Sequence, residues 1–487
     1  MSSRRTRCVA MLIAWIPCIS HAQAPTPQRP AYTLERHDEN WSFLRDPSKG
    51  TDFFDPIKWI PLGKNASWFL TLGGELRERF QDVRNPAFAL PSAVRNTDFF
   101  HRTFLFGDVH LGPHFRTFVE LVNGVTAGTT KKKSSFEQDS LDVLQAFADV
   151  VVPAGKNGDF TLRIGRQDMM FGSSRLVSLR EAPNVRRAFD GVRIFWKAAN
   201  GKRADAFLVR PVTPQFGVFD DSRDRTQLFW GVYITSPIPR GKGAKADLYY
   251  LGLDRLDAVF ARGRAQEHRH TVGARLFGNR TGFDLDEEIF NFDSRRALDV
   301  ESKFDWDVEG AYQFGSFGAA EIGAWMISSN WGYTFTEFAL SPRAGLKADA
   351  ASGDTNLQDQ RLGTFNPLFP ALRYYSLVRL FEPANLLNLQ PSITVDLSKN
   401  LNASVAGSAL WRVSMADAFY APPLVLVNGT ATNGRFIGQQ ASAILAWKAT
   451  VHLTIGFNYA HFIPGGSVKQ AGGHSGDFFL ALGQFKF

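Results

Sequence analysis

The segment Trp68-Phe69-Leu70-Thr71-Leu72-Gly73-Gly74-Glu75-Leu76-Arg77-Glu78-Arg79-Phe80 splits into two faces. Every second residue gives Trp68, Leu70, Leu72, Gly74 and Leu76 on one side, and Thr71, Gly73, Glu75, Arg77 and Arg79 on the other. A period of two is that of a β-strand. The polar side carries more charge than a dry core accepts, because unpaired buried charges are prohibitively costly. The pattern returns from Phe304, with Phe304, Trp306, Val308, Gly310 and Tyr312 against Asp305, Asp307, Glu309 and Gln313. A water-soluble sandwich alternates too, so the period identifies strands without saying what surrounds them.

About eighteen segments meet the same criterion. They begin near Trp68, Phe99, Phe115, Leu141, Phe160, Arg187, Ala204, Leu228, Lys245, Arg269, Phe304, Gly318, Ser341, Asn388, Leu401, Ile437, Leu453 and Gly476. Several are about ten residues long, enough for a tilted strand to cross a bilayer. Their connections alternate in length. Short ones fall at 112–113, 153–158, 198–203, 398–400 and 448–451, and long ones at 124–140, 167–186, 353–387, 412–436 and 464–475. This is the pattern of tight periplasmic turns on one membrane face and long extracellular loops on the other. The stretch 278–303 breaks it, being long on the turn side.

The expected fold is therefore all-β: a transmembrane antiparallel up-and-down β-barrel of about 18 strands. Closure is required because each unpaired backbone group in hydrocarbon costs several kcal/mol. The chain ends support this. Arg4, Arg5 and Arg7, an apolar run from Val9 to Ile19 and Ser20-His21-Ala22 read as a secretory signal peptide over 1–22. Residues 23–67 form a periplasmic lead and 68–487 the barrel. In the last strand Phe479, Ala481, Gly483, Phe485 and Phe487 share one face. A terminal Phe on such a face resembles the signature of bacterial outer-membrane barrels, and implies recognition of this strand by the barrel-assembly machinery.

Composition narrows the function classes. Both cysteines, Cys8 and Cys18, lie in the leader, so no mature disulfide, thiolate nucleophile or cysteine metal site is expected. The formal charge is +8, three of it from the leader arginines, and no nucleic-acid module accompanies it. Lys131-Lys132-Lys133 reads as a solvated loop tip. Neither a Gly-Xaa-Ser-Xaa-Gly elbow nor a His-Glu-Xaa-Xaa-His helix occurs, so no enzyme, cofactor or metal is expected. His268 and His270 share a strand face without companion ligands. Asp354, Asn356 and Asp359 could offer oxygens to calcium, although a plain polar loop explains them as well.

By parity the lumen receives Arg77, Arg79, Arg102, Arg116, Arg163, Arg193, Arg275, Arg343 and Arg412. Candidate acidic partners are Glu75, Asp108, Glu120, Asp149, Asp305, Asp307, Glu309 and Glu321. Two readings stay open: an ion-pair lattice that stiffens the wall, or unmatched guanidinium groups forming an anion-attracting constriction.

Specific strings then point to a family. Gly165-Arg166-Gln167-Asp168, Gly172, Arg175-Leu176-Val177 and Arg187-Ala188-Phe189-Asp190-Gly191-Val192-Arg193 resemble the central motif of the alginate-export outer-membrane porins. So do His270-Thr271-Val272-Gly273-Ala274-Arg275, Gln313-Phe314-Gly315, Ser352-Gly353-Asp354 and Thr364-Phe365-Asn366-Pro367-Leu368-Phe369-Pro370. Trp41-Ser42-Phe43-Leu44-Arg45-Asp46 and Pro56-Ile57-Lys58 are similar to that family's N-terminal lead. The resemblance implies an eighteen-stranded barrel in the bacterial outer membrane, with an arginine-rich constriction selecting a uronate polymer. The 279–303 stretch and the short Ala449-Thr450 turn depart from the family pattern and put alginate itself in doubt. The expected function is passive passage of anionic solutes, an alginate-like or other acidic polysaccharide among them. The expected partners are outer-membrane lipid, lipopolysaccharide and an anionic carbohydrate or small anion. The alternatives are a general uptake porin for small organic solutes, a barrel enzyme acting on envelope lipids, or an adhesin or phage-receptor scaffold with a plugged lumen.

Overall fold

A computed structural model describes residues 29–63, 67–90, 94–130, 132–241, 243–278, 303–375, 380–427 and 434–487. The leader 1–22 and nearly all of the 279–303 stretch lie outside the described residues. Eighteen long strands follow one another: β1 (Trp68–Arg84), β2 (Arg95–Leu111), β3 (Phe115–Gly128), β4 (Asp139–Pro153), β5 (Asp159–Gln167), β6 (Phe189–Lys197), β7 (Arg203–Thr213), β8 (Gln227–Pro237) and β9 (Lys245–Phe260). Then come β10 (Gly263–Gly278), β11 (Phe304–Phe317), β12 (Ala320–Thr334), β13 (Arg343–Ala351), β14 (Leu386–Ser398), β15 (Leu401–Trp411), β16 (Phe436–Lys448), β17 (Leu453–Pro464) and β18 (Gly476–Lys486). Each is antiparallel to the next, and β18 returns to β1 with Gln484 opposite Arg77 and Lys486 opposite Glu75. The sheet is thus a closed barrel, which leaves hydrocarbon no open edge. No helix among the described residues is long and apolar enough to cross a membrane.

The alternation read from the sequence becomes an inside and an outside. Trp68, Leu72, Leu76 and Phe80 of β1 are exposed, whereas Thr71, Glu75, Arg77 and Arg79 are buried. On β11, Phe304, Tyr312 and Phe314 face out while Asp305, Asp307, Glu309 and Gln313 face in. Glu321 is a correction: it opens β12 on the exposed face, and its neighbour Ile322 is the inward residue.

Most short turns lie at the end where the lead enters and most long connections at the other, the exceptions being the link from β10 to β11 on the lead side and the two-residue links 261–262 and 318–319 on the opposite side. These long connections do not simply project outward. The 168–188 connection folds back into the lumen and buries Met169, Phe171, Leu176 and Val177 against Phe207, Phe229, Tyr233 and Leu251 of the wall. The inner face is therefore not uniformly polar: from β6 to β9 it carries an apolar patch that accepts this loop. Gly172 makes the approach possible, adopting φ +58°, where a Cβ would lie 2.3 Å from the Tyr233 hydroxyl. Residues of the 352–385 connection pair with it, Ser178 N–H donating to the Phe369 carbonyl (2.9 Å) and Phe369 N–H to that of Leu176 (2.9 Å). The same connection repairs an edge. β13 stops at Ala351, and Arg361–Leu362 pair in parallel with Glu321 and Ile322, covering backbone groups of β12 beyond it.

At the opposite end the lead packs inward. Ile60–Pro61 pair with Leu70 and Phe69 of β1, and Leu34, Trp41 and Leu44 are buried. Arg36 donates to the Gly74 carbonyl (3.0 Å) and to that of Phe487 (2.8 Å), fixing the lead against the seam where β1 meets β18.

Candidate functional site: the charged lumen

Register places several arginines in direct opposition. Arg77 faces Arg102 across β1 and β2, and Arg163 faces Arg193 across β5 and β6. Like charges directly opposite destabilise a strand pair, so each couple needs anions between its members. Glu75 supplies one, accepting from Arg102 Nε at 2.9 Å. The other comes from the inward loop: Glu181 pairs with Arg102, Arg77 and Arg186, while Arg77 also donates to the Glu181 (2.9 Å) and Pro183 (2.6 Å) carbonyls.

Six of the other seven sequence-derived arginines are likewise held by carboxylates. Asp149 holds Arg163 by two bonds of 2.8 and 2.9 Å, and Asp205 holds Arg193 at 2.9 and 2.7 Å. Asp108 grips Arg116 at 2.7 Å through both oxygens. Arg275 reaches Asp307 (2.9 Å) and Asp247 (3.1 Å), Arg343 reaches Asp305 (2.8 Å), and Arg79 reaches Glu137 (2.7 Å). Arg412 stands apart, just beyond β15, donating to the Gly434 carbonyl and to that of Asp417 (3.0 Å). All but Arg116 are fully buried. The geometry is that of a lattice clamping wall, loop and lead together. Buried carboxylates are at least as numerous as buried Arg and Lys among the described residues, so the lattice is not electropositive.

The sequence reading gave no role to three residues at its centre. Arg175 reaches from the loop to Asp307 (2.8 Å), Glu309 (2.7 Å) and the Tyr374 hydroxyl (2.7 Å). Arg186 binds Glu181 and the Leu34 carbonyl (3.0 Å), tying loop to lead. Arg269, flanked by Glu267, donates to Gln313 at 2.7 Å. The available signal was the composition of 168–188, too apolar for a solvated loop and too charged for an ordinary core.

Glu35, His37 and Asp168 bring ligand-type atoms within 4.8 Å of one another where lead meets loop. His37 Nε2 accepts from Arg163 at 2.9 Å, so Nδ1 carries the proton; it lies 4.0 Å from Asp168 Oδ1, too far for a hydrogen bond. With Nδ1 protonated and Nε2 accepting from Arg163, the ring has no free lone pair to offer a metal ion. Burial, and after it Arg163, hold the His37 pKa well below its ordinary value, so the ring stays neutral. Asp354, Asn356 and Asp359 converge on the Arg262 guanidinium, which donates to the Asp354 (3.1 Å) and Asp359 (2.7 Å) carboxylates and the Asn356 carbonyl (2.8 Å). A guanidinium therefore holds the place considered for calcium. His268 bonds Asp254 (2.8 Å) and His270 bonds Tyr250 (2.8 Å).

The outer end opens into a recess of about 410 Å³, in the size range of small-molecule sites. Its lining includes Arg84, Lys132, Lys133 and Arg180 together with Asp98, Glu137 and Asp477. A second, much smaller cavity is lined by Arg79, Gln81, Ala182, Arg373, Phe478, Leu480 and Leu482. Lys133 turns back to the Thr126 carbonyl, so it borders the recess and is no solvated tip. Among the rim groups Asp98 accepts from Thr130, Glu137 from Arg79, and Asp477 lies 3.9 Å from Arg84.

A closed eighteen-stranded barrel, apolar outside, charged inside and entered by its own loops, is a channel-type barrel of the bacterial outer membrane. The chain belongs to the alginate export family, whose model matches residues 69–481, and is a transport barrel, not an enzyme. Among solved structures it is similar to Pseudomonas aeruginosa OpdQ, at a TM-score of 0.55 and 10% identity, over 86% of this chain and 97% of that one. P. aeruginosa OccK2 (OpdF) gives 0.54 at 10% identity, over 85% and 97%. P. aeruginosa OccK7 (OpdD) gives 0.52 at 12%, over 86% and 98%. At such identities the likeness speaks for the fold alone. Among curated proteins no relative matches the chain.

Proposed function

We propose that this barrel passes anionic solutes passively across the outer membrane, an alginate-like or other acidic polysaccharide being the leading class. The observation that carries the reading is the outer recess, whose lining brings Arg84, Lys132, Lys133 and Arg180 together alongside Asp98, Glu137 and Asp477. Such a basic rim raises the local concentration of anions by long-range attraction. Guanidinium groups fork onto carboxylates, the group a uronate presents on every ring. The inward arginines from Arg77 to Arg343 then act as a stiff, internally neutralised wall beneath this rim. Lipopolysaccharide packs against the outer part of the apolar belt, and β18 serves recognition by the barrel-assembly machinery. Reversal potentials in planar bilayers under a salt gradient test the proposal: anion preference is expected, lowered in Lys132→Glu/Lys133→Glu. Clear cation preference would reject it.

One observation favours a second reading. Because every wall arginine already has a partner, the lumen itself offers little net charge, which suits general uptake of small organic solutes. Equal permeability to anions and neutral sugars of one size would decide for it.

A further inference from the structure

At the outer end of β4 lies a cluster that transport does not use. Asp139, the first residue of β4, is fully buried, and neither of its carboxylate oxygens has a hydrogen-bond partner. Its charged surroundings repel it: oxygens of Asp139, Asp142 and Asp221 lie within 4.8 Å of one another. Asp142 is held by the backbone N–H groups of Asp220 (2.8 Å), Asp221 (2.9 Å) and Val143 (2.7 Å). Asp221 accepts from Gln215 N–H at 2.6 Å. The 214–226 connection that carries Asp221 is seated on β4 by Phe219 N–H on the Leu141 carbonyl (2.9 Å) and by Ser140 Oγ on that of Phe216 (2.9 Å). Arg166 comes no nearer than 3.7 Å to Asp142 and is committed to Asp190 (2.9 Å) and to the Val143 (3.0 Å) and Asp221 (3.2 Å) carbonyls.

A buried carboxylate without a partner is costly, and several carboxylates sharing a site cannot all ionise without a counter-charge. An all-oxygen donor set calls for a hard cation, and Ca²⁺–O bonds of about 2.3–2.6 Å keep two oxygens on one ion within roughly 5 Å of each other. The observed spacing meets that limit, and the two unpartnered oxygens of Asp139 suit a bidentate ligand. We propose that Asp139, Asp142 and Asp221 bind a calcium ion that clamps the 214–226 connection to the outer end of β4. This site is separate from the recess, so it stands or falls independently of the transported solute.

The test uses the full barrel folded in detergent, stripped with chelator and dialysed against ⁴⁵Ca²⁺, with thermal melting in parallel. Wild type is expected to bind one ion and to melt higher with Ca²⁺, with Mg²⁺ a poor competitor. Asp139→Asn removes the negative charge and replaces one of two oxygens that lack a hydrogen-bond partner, so its fold is expected to survive while affinity drops about tenfold or more. Asp221→Asn, in the connection, provides the same comparison if Asp139→Asn does not fold. Absence of stoichiometric binding by wild type, affinity unchanged in the variants, or equal competition by Mg²⁺ would each overturn the assignment.

Discussion

Arg102 shows what a single residue must balance in this wall. It sits opposite Arg77 and between Glu75 and Glu181, fully buried. Removing one partner from such a cluster leaves uncompensated charge in a low-dielectric site, at a cost of about 3–5 kcal/mol. Arg102→Ala is therefore expected to lower the urea midpoint of the folded barrel, with Glu75→Gln in the same chain recovering part of the loss. Glu382 gives a pH handle. Burial outweighs nearby Arg180 and Arg187 and pushes its carboxyl up to about 7, against about 4.5 ordinarily. The folded state thus holds this proton more tightly than the unfolded chain. The resulting stabilisation is full below about pH 4.5 and is lost as pH rises through 7. Wild type should melt lower at pH 8 than at pH 5, and Glu382→Gln should narrow that gap; an unchanged gap would show that other groups set it. Residue types on the wall were legible in the sequence, because period-two parity assigns Arg77 or Asp307 to one face. Their partners were not, since Glu181 and Arg175 arrive from a loop whose path parity does not describe.

An element that folds into the lumen and narrows it runs from 168 to 188. Its apolar residues fill the patch formed by Phe207, Phe229 and Tyr233, and its charges complete the lattice. Replacing 169–187 with a short Gly/Ser linker is expected to raise single-channel conductance in planar bilayers while broadening the range of permeating solutes. Unchanged conductance would mean that the lead, or another loop, sets the constriction. Strands were the legible elements: all eighteen starts read from alternation lie within six residues of the observed ones, from Trp68 to Gly476. Loops were legible in length and side. Their inward course was not, because Met169 and Phe171 signal burial without naming the surface that buries them.

At the scale of the molecule, the apolar outer belt fixes the solvent. Leu208 lies at mid-strand in β7 and faces out. Leu208→Arg should cost about 2–4 kcal/mol if it meets the bilayer midplane, read as a lowered denaturant midpoint in lipid vesicles. A variant as stable as wild type there would place water, not hydrocarbon, outside β7. Charge is matched at this scale too: guanidinium and carboxylate groups pair across the lumen, and basic and acidic residues together line the outer recess.

Alternating side chains along the chain, with turns of unequal length between strands, were enough to determine a barrel, its strand number and the inner or outer side of nearly every wall residue, because strand geometry is local and repeats every two residues. Which arginine meets which carboxylate, how far loops and lead fill the lumen, and where carboxylates crowd together were decided only in three dimensions. Those contacts join segments as distant as Leu34 and Arg186 or Arg175 and Tyr374. No local period encodes such pairings; they follow from closure of the cylinder and from the cost of leaving a charge inside it without a partner.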